Sequence, residues 1–216
     1  MMKNVVKGAL TLVAAAAVAQ AGAVTVVVNQ LDRSPAAAEM VSWTPVGSFK
    51  ATPHEYFATT DTSSTFLTYC VELRQAITAL PNTYTTVAFS EPLGTRLAKL
   101  FQVAGFHSST ATPDAIDTAV ERQALQLAVW NITLDTDNTL DSGDFKMLTD
   151  VNGARAQANA WLAAASASFT PYVQVTRLFS RTEQDLIIVV PEPSTYALMM
   201  AGLLGIGFVA RRRQAR

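Results

Sequence analysis

One cysteine, Cys70, and two histidines, His54 and His107, are all that 216 residues offer of the commonest nucleophile and metal-ligand types. A single cysteine excludes an internal disulfide and a multi-cysteine metal site, and two histidines exclude a histidine-rich one. A Cys70–His107 nucleophile pair would have to form in space, and neither residue has a supporting pattern around it. Clustered positive charge is also missing from the body. Six of the 16 lysines and arginines (Lys3, Lys7, Arg211, Arg212, Arg213, Arg216) lie at the two ends. That leaves ten against 17 acids between Val24 and Pro193, a net charge near −7. A surface of that sign excludes nucleic acid as a partner, because phosphate binding needs clustered cations.

What is present begins at the ends. Lys3 and Lys7 lead into the apolar run "ALTLVAAAAVA" and the small residues "AQAGAV". A charged segment, an apolar core and an A-x-A-like site describe a secretory signal peptide over 1–23. The exported chain then carries its one thiol outside the cytoplasm. That thiol is buried and inert, paired with another molecule, or chemically employed.

The other end reads "VPEPSTYALMMAGLLGIGFVARRRQAR". Pro191 and Pro193 lack backbone donors and keep the residues before them extended. Tyr196 to Ala210 carries no charge, and its composition predicts a single transmembrane helix near the lower length limit. Arg211, Arg212 and Arg213 supply a cytoplasmic stop. Val190, Pro191, Glu192, Pro193 and Ser194, followed by a short apolar helix and arginines, resemble the PEP-CTERM sorting segment of Gram-negative bacteria. The resemblance implies recognition by an exosortase, a membrane-embedded cysteine transpeptidase or protease that processes the chain near the Pro-Glu-Pro. It also implies a location: anchored in the inner membrane with a periplasmic domain before processing, then at the cell surface or in the extracellular matrix. Members of that family are linked to extracellular polysaccharide and biofilm matrix.

Between the ends, 24–189 is one exported domain's length of chain. "VTVVVNQ" (Val24 to Gln30), "FLTYCVELRQAI", "TTVAFS", "YVQVTRLFS" and "QDLIIVV" predict strands. "LGTRLAKLFQVAGF", "TPDAIDTAVERQALQLAVWNITLD" and "NGARAQANAWLAAAS" predict helices. In the second, Asp114 or Asp117 is the expected cap, and Leu125, Ala128, Val129 and Ile132 the expected apolar stripe. Strands flanking a helical middle predict an α+β fold, a β-sandwich or barrel-like domain with inserted helices.

Two clusters are candidates for chemistry. Asp135, Asp137 and Asp141, with Asp144, form an acidic loop that could offer oxygen ligands to Ca²⁺. Leu140 stands where an EF-hand needs Gly and Lys146 where it needs the bidentate Glu, so a solvated loop without metal is the expectation. The second cluster is a pairing. Tyr69-Cys70-Val71-Glu72 resembles the cysteine motif of the thioester domains in bacterial surface adhesins, and "LQLAVW" (Leu125 to Trp130) resembles those domains' T-Q-x-A motif. The resemblance implies an internal thioester between Cys70 and Gln126, with Trp130, one turn beyond Gln126, shielding it. On the residues alone, Cys70 is equally a small hydrophobe packed in a strand.

The expected function is therefore a non-enzymatic, exosortase-sorted surface or matrix protein without a cofactor. The alternative is a covalent adhesin whose thioester acylates amines on a target. The expected partners are the exosortase, the inner membrane, and extracellular polysaccharide or surface amines.

Overall fold

The computed structural model describes residues 24–109 and 116–191. The expected signal peptide and transmembrane helix fall outside them. Among the described residues, no helix is long and apolar enough to cross a membrane.

The β-branched segments form a closed antiparallel barrel of six strands. They are β1 (Thr25–Arg33), β4 (Glu55–Thr60), β5 (Thr65–Cys70), β6 (Asn82–Ala88), β8 (Val173–Phe179) and β9 (Leu186–Pro191), in the order β1-β4-β5-β9-β8-β6. Closure leaves no barrel strand with an open edge. A second sheet of three strands, β3-β2-β7, is built from β2 (Glu39–Trp43), β3 (Gly47–Ala51) and β7 (Phe145–Met147). The expected barrel-like fold with inserted helices is thus realised as a barrel, with a small sheet at its side.

Three helices lie between the strands: α1 (Leu93–Val103), α2 (Ala119–Leu134) and α3 (Arg155–Ala165). The cap of α2 is neither of the expected aspartates. Thr118 Oγ1 accepts the Glu121 N–H while the Glu121 carboxylate accepts the Thr118 N–H, a reciprocal capping box. Nor does α2 carry a single apolar stripe. Every residue from Gln123 to Ile132 is buried, because barrel, small sheet, α1 and α3 all pack against this helix. An edge-to-face cluster of Tyr69, Phe101 and Phe106 ties α1 and the chain after it to β5.

The small sheet rests on a charge that patterning did not reveal. Glu39 opens β2 fully buried, and its carboxylate accepts bonds from Thr149 Oγ1 (2.7 Å), Val151 N (3.0 Å), Asn152 N (2.9 Å) and Asn152 Nδ2 (2.8 Å). Burial works to raise its pKa, but the four donors together outweigh burial and hold it below the ordinary carboxylate value. A depressed folded-state pKa means stability that is present above the unfolded value and lost as pH falls through the folded one. Glu39→Gln is expected to cost about 1–3 kcal/mol at neutral pH in urea unfolding. The gap to the parent chain should narrow as pH falls below about 4; a gap that stays constant with pH would contradict this assignment.

Candidate functional site

Strand β5 ends where β4 can no longer serve it. The last β4 partner is Glu55, opposite Tyr69, so the N–H and C=O of Cys70, which point away from β9, enter the core with no strand on the side they face. A backbone pair buried there must be satisfied by something else. Gln126, fully buried on α2, supplies both partners: its Oε1 accepts the Cys70 N–H at 2.8 Å and its Nε2 donates to the Cys70 carbonyl at 2.8 Å. The carboxamide thus acts as one residue of a missing strand. One residue on, Thr133 Oγ1 donates to the Val71 carbonyl at 2.9 Å, continuing the seam between helix and chain.

The structure therefore brings Cys70 and Gln126 together, but through the main chain of Cys70. The side chain facing the sulfur is a different glutamine. Cys70 Sγ donates to Gln184 Oε1 at 2.9 Å, and Gln184 Nε2 donates to the Glu72 carbonyl. Anchoring the NH₂ on Glu72 turns the carbonyl oxygen toward the thiol. Gln184 stands two residues before β9, and that strand is locked beside β5 by the pairs Tyr69↔Ile187 and Cys70↔Leu186 and by Val71 N to Asp185 O at 3.0 Å. The loop before it is fastened in turn. Asp185 is ion-paired with Arg177 and accepts the Ser180 N–H at 2.8 Å, while Glu183 accepts Thr78 Oγ1 at 2.9 Å.

Sequence reading saw Gln184 only as the first residue of a strand. Its one local signal is a carboxamide set, with Asp185, ahead of the apolar run Leu186–Val190. Its meaning depends on β9 pairing with β5, which no local pattern specifies.

The site is dry. Cys70 is 2 % exposed and Gln184 7 %. Burial pushes the thiol up to about 12, opposed in part by a hydrogen bond with Tyr56. At neutral pH the sulfur therefore carries its proton. Tyr84 also lies close enough for its charge to couple with that of Cys70, and burial raises it to about 12. Its hydroxyl is fully buried and has no hydrogen-bond partner among the described residues. Glu55 is raised by burial, against a 2.6 Å bond from Tyr69 Oη and the charge of Arg122. The phenols of Tyr56 and Tyr84 and the carboxamide of Gln184 thus lie about a buried, neutral thiol. That is an environment that suppresses ionisation and excludes water.

The other sequence candidates lie elsewhere. Trp130 packs edge-to-face on Phe145 of the small sheet, 6.4 Å between ring centroids. His107 sits against Tyr172, with its Nε2 2.8 Å from the hydroxyl. In the acidic loop, Asp135 accepts the N–H groups of Thr136 and Phe145, and Asp137 accepts Asn131 Nδ2. Asp141 accepts Asn159 Nδ2 and faces Arg155 at 3.2 Å. Gly143, at φ +85°, lies so close to Asp135 and Asp137 that a Cβ would collide with both carboxylates. Among the described residues, no group of three or more His, Cys, Asp or Glu is arranged to hold a metal ion.

Of the tail, Val190 and Pro191 belong to β9, while Glu192, Pro193, Ser194 and Arg211 to Arg213 lie outside the described residues. Residues 189–213 match the model of the PEP-CTERM protein-sorting motif. The tail is an exosortase sorting signal. The motif marks an exported protein, held transiently at the membrane before the exosortase processes it. No curated protein and no solved structure matches the chain.

Because Gln126 serves two buried backbone groups, Gln126→Leu leaves both unpaired. The expected loss is about 2–5 kcal/mol of unfolding free energy. A loss under about 0.5 kcal/mol, the range of surface substitutions, would show that the carboxamide is not the strand substitute described.

Proposed function

We propose that the chain is an exosortase-sorted surface or matrix protein whose body acts once, as a covalent binder, through an internal thioester at Cys70. The acyl donor in this reading is Gln184, and Gln126 positions the cysteine. The observation that carries it is the 2.9 Å contact between Cys70 Sγ and the Gln184 carbonyl oxygen in a buried pocket. It holds the Gln184 carboxamide beside the sulfur through its oxygen, one bond from the carbon that would be attacked. Gln126 is the weaker donor candidate, since both of its polar atoms are committed to the Cys70 main chain.

The step balances without a co-reactant. Sulfur attacks the carboxamide carbon, the C–N bond breaks, and the thiol proton leaves with the nitrogen as ammonia. A thioester results. A primary amine on a target, such as a lysine or an amino sugar of a matrix polysaccharide, then attacks the same carbon. An amide forms, the C–S bond breaks, and the sulfur regains a proton. The enclosure described above delays hydrolysis until an amine arrives. With one acyl group per chain there is no turnover, so the protein is a binder and not an enzyme. The single cysteine suits this use, because no second thiol can divert Cys70 into a disulfide.

The purified exported domain is expected to be lighter than its sequence by one ammonia. Methylamine should restore the mass as an adduct, with the methylamide found at Gln184 by fragmentation. Cys70→Ala should abolish both effects. An adduct at Gln126 would reassign the donor, and a full-mass chain with a titratable thiol under denaturation would end the thioester reading.

For sorting, Pro191→Ala with Pro193→Ala is expected to abolish exosortase-dependent removal of the C-terminal segment, followed by the mass of the chain from membranes. Unaltered processing of the double variant would contradict that role for the two prolines.

A further inference from the structure

The barrel's two ends differ, and the difference bears on how the body sits while the chain is anchored. The inference rests on the anchored state that the sorting motif implies and not on the thioester. Three residues of the sorting match, Val189, Val190 and Pro191, are still strand β9, so no spacer separates the barrel from the tail. Pro191 pairs with Val173 at one end of the β8–β9 ladder, and Leu186 pairs with Leu178 and Cys70 at the other. Five residues separate Leu186 from Pro191, about 16 Å along a strand.

The stagger of the barrel decides what else shares the Pro191 end. Followed across the strands from Cys70, the pairing runs through Leu186, Leu178 and Thr86 to Val24. Continued through β4, it comes back to β5 beyond Thr65, that strand's first residue. The strands are therefore steeply tilted, and each step around the barrel descends toward the Pro191 end. Val24, just before β1, and Val87, on β6, consequently join Val190 and Tyr172 at that rim.

All four side chains are exposed: Val24 60 %, Tyr172 51 %, Val87 41 % and Val190 36 %. Of the other exposed large apolar residues among those described, Val46, Leu148 and Val151 lie on loops of the small sheet, Val120 opens α2, and Phe179 alone stands at the opposite rim, beneath the Arg177 guanidinium. Four exposed apolar side chains thus crowd one end of the barrel, Val24, Tyr172 and Val190 on the sheet face of Leu186 and Val87 on the opposite one, and an exposed apolar rim of this kind marks an interaction surface. A tyrosine among them suits a membrane interface, where its ring is apolar and its hydroxyl wet.

What the rim meets follows from the tether. From Pro191 to Tyr196, where the uncharged run begins, is five residues, a reach of at most about 17 Å even fully extended. With that run in the bilayer, the rim cannot stand clear of the lipid surface by more than this. We propose that the anchored protein rests on the bilayer through the Val24–Val87–Tyr172–Val190 rim, with its Cys70 end directed away from the membrane. The thiol pocket then faces outward, toward material beyond the membrane surface.

The test uses the full chain with Cys70→Ala, reconstituted in vesicles of phosphatidylethanolamine with a minority of phosphatidylglycerol. Single cysteines replace Val24, Val87 or Tyr172 at the rim, and Arg181 at the opposite end, each carrying the same fluorophore. Lipids bearing a headgroup nitroxide serve as the quencher. Quenching at the three rim positions is expected to exceed that at position 181 several-fold. Equal quenching at both ends, or stronger quenching at 181, overturns the orientation. A chain that fails to associate with vesicles overturns it as well, by removing the anchored state. Since Cys70 is absent throughout, no outcome depends on whether a thioester forms.

Discussion

The main chain of Cys70 needs two hydrogen bonds on a side that no strand reaches. Much of the architecture can be traced to how that need is met. Gln126 meets it, which requires α2 to pass directly against the end of β5 with a carboxamide at the right turn. A helix so placed is surrounded, and that is why it is buried on every side and opened by a firm capping box. A polar side chain at the centre of such a helix would otherwise weigh heavily against the fold. Here its full satisfaction fixes the register of helix against barrel.

Around that junction the chemistry is one of restraint. The thiol is protonated, the phenols are neutral, and the Glu55 carboxylate is bonded by Tyr69 and faced by Arg122. Such a pocket is poorly suited to repeated acid–base catalysis, which favours groups that gain and lose protons near neutral pH. It is well suited to keeping one reactive bond away from water. Its position at the end of β5, where ladder gives way to loop, places the sulfur beside a second chain segment that the barrel itself delivers.

What the sequence made legible was the part encoded locally. The β-branched runs that became β1, β5, β6, β8 and β9 and all three helices were readable from period and composition. The tail and the Cys70–Gln126 proximity were readable as motifs. The short strands of the small sheet, "EMVSW", "GSFKA" and "FKM", carry no run long enough to stand out, and β4 (Glu55–Thr60) begins with a charge that is buried in the fold. The α2 cap was missed in favour of nearby aspartates because any of three adjacent polar residues could have filled that place. Gln184 was invisible for a different reason. Its meaning is a long-range pairing across 114 residues, and a carboxamide at a strand entrance looks the same whether it faces water or sulfur.

The strand that ends the barrel is also where the sorting signal starts. Tail and body are therefore not interchangeable parts joined by a hinge. A boundary drawn at residue 189 would sever β9 short of its pairs with Val173 and Gln174. A tail of this kind can be exchanged between proteins only together with the strand that precedes it, so selection acts on address and fold as one inherited unit.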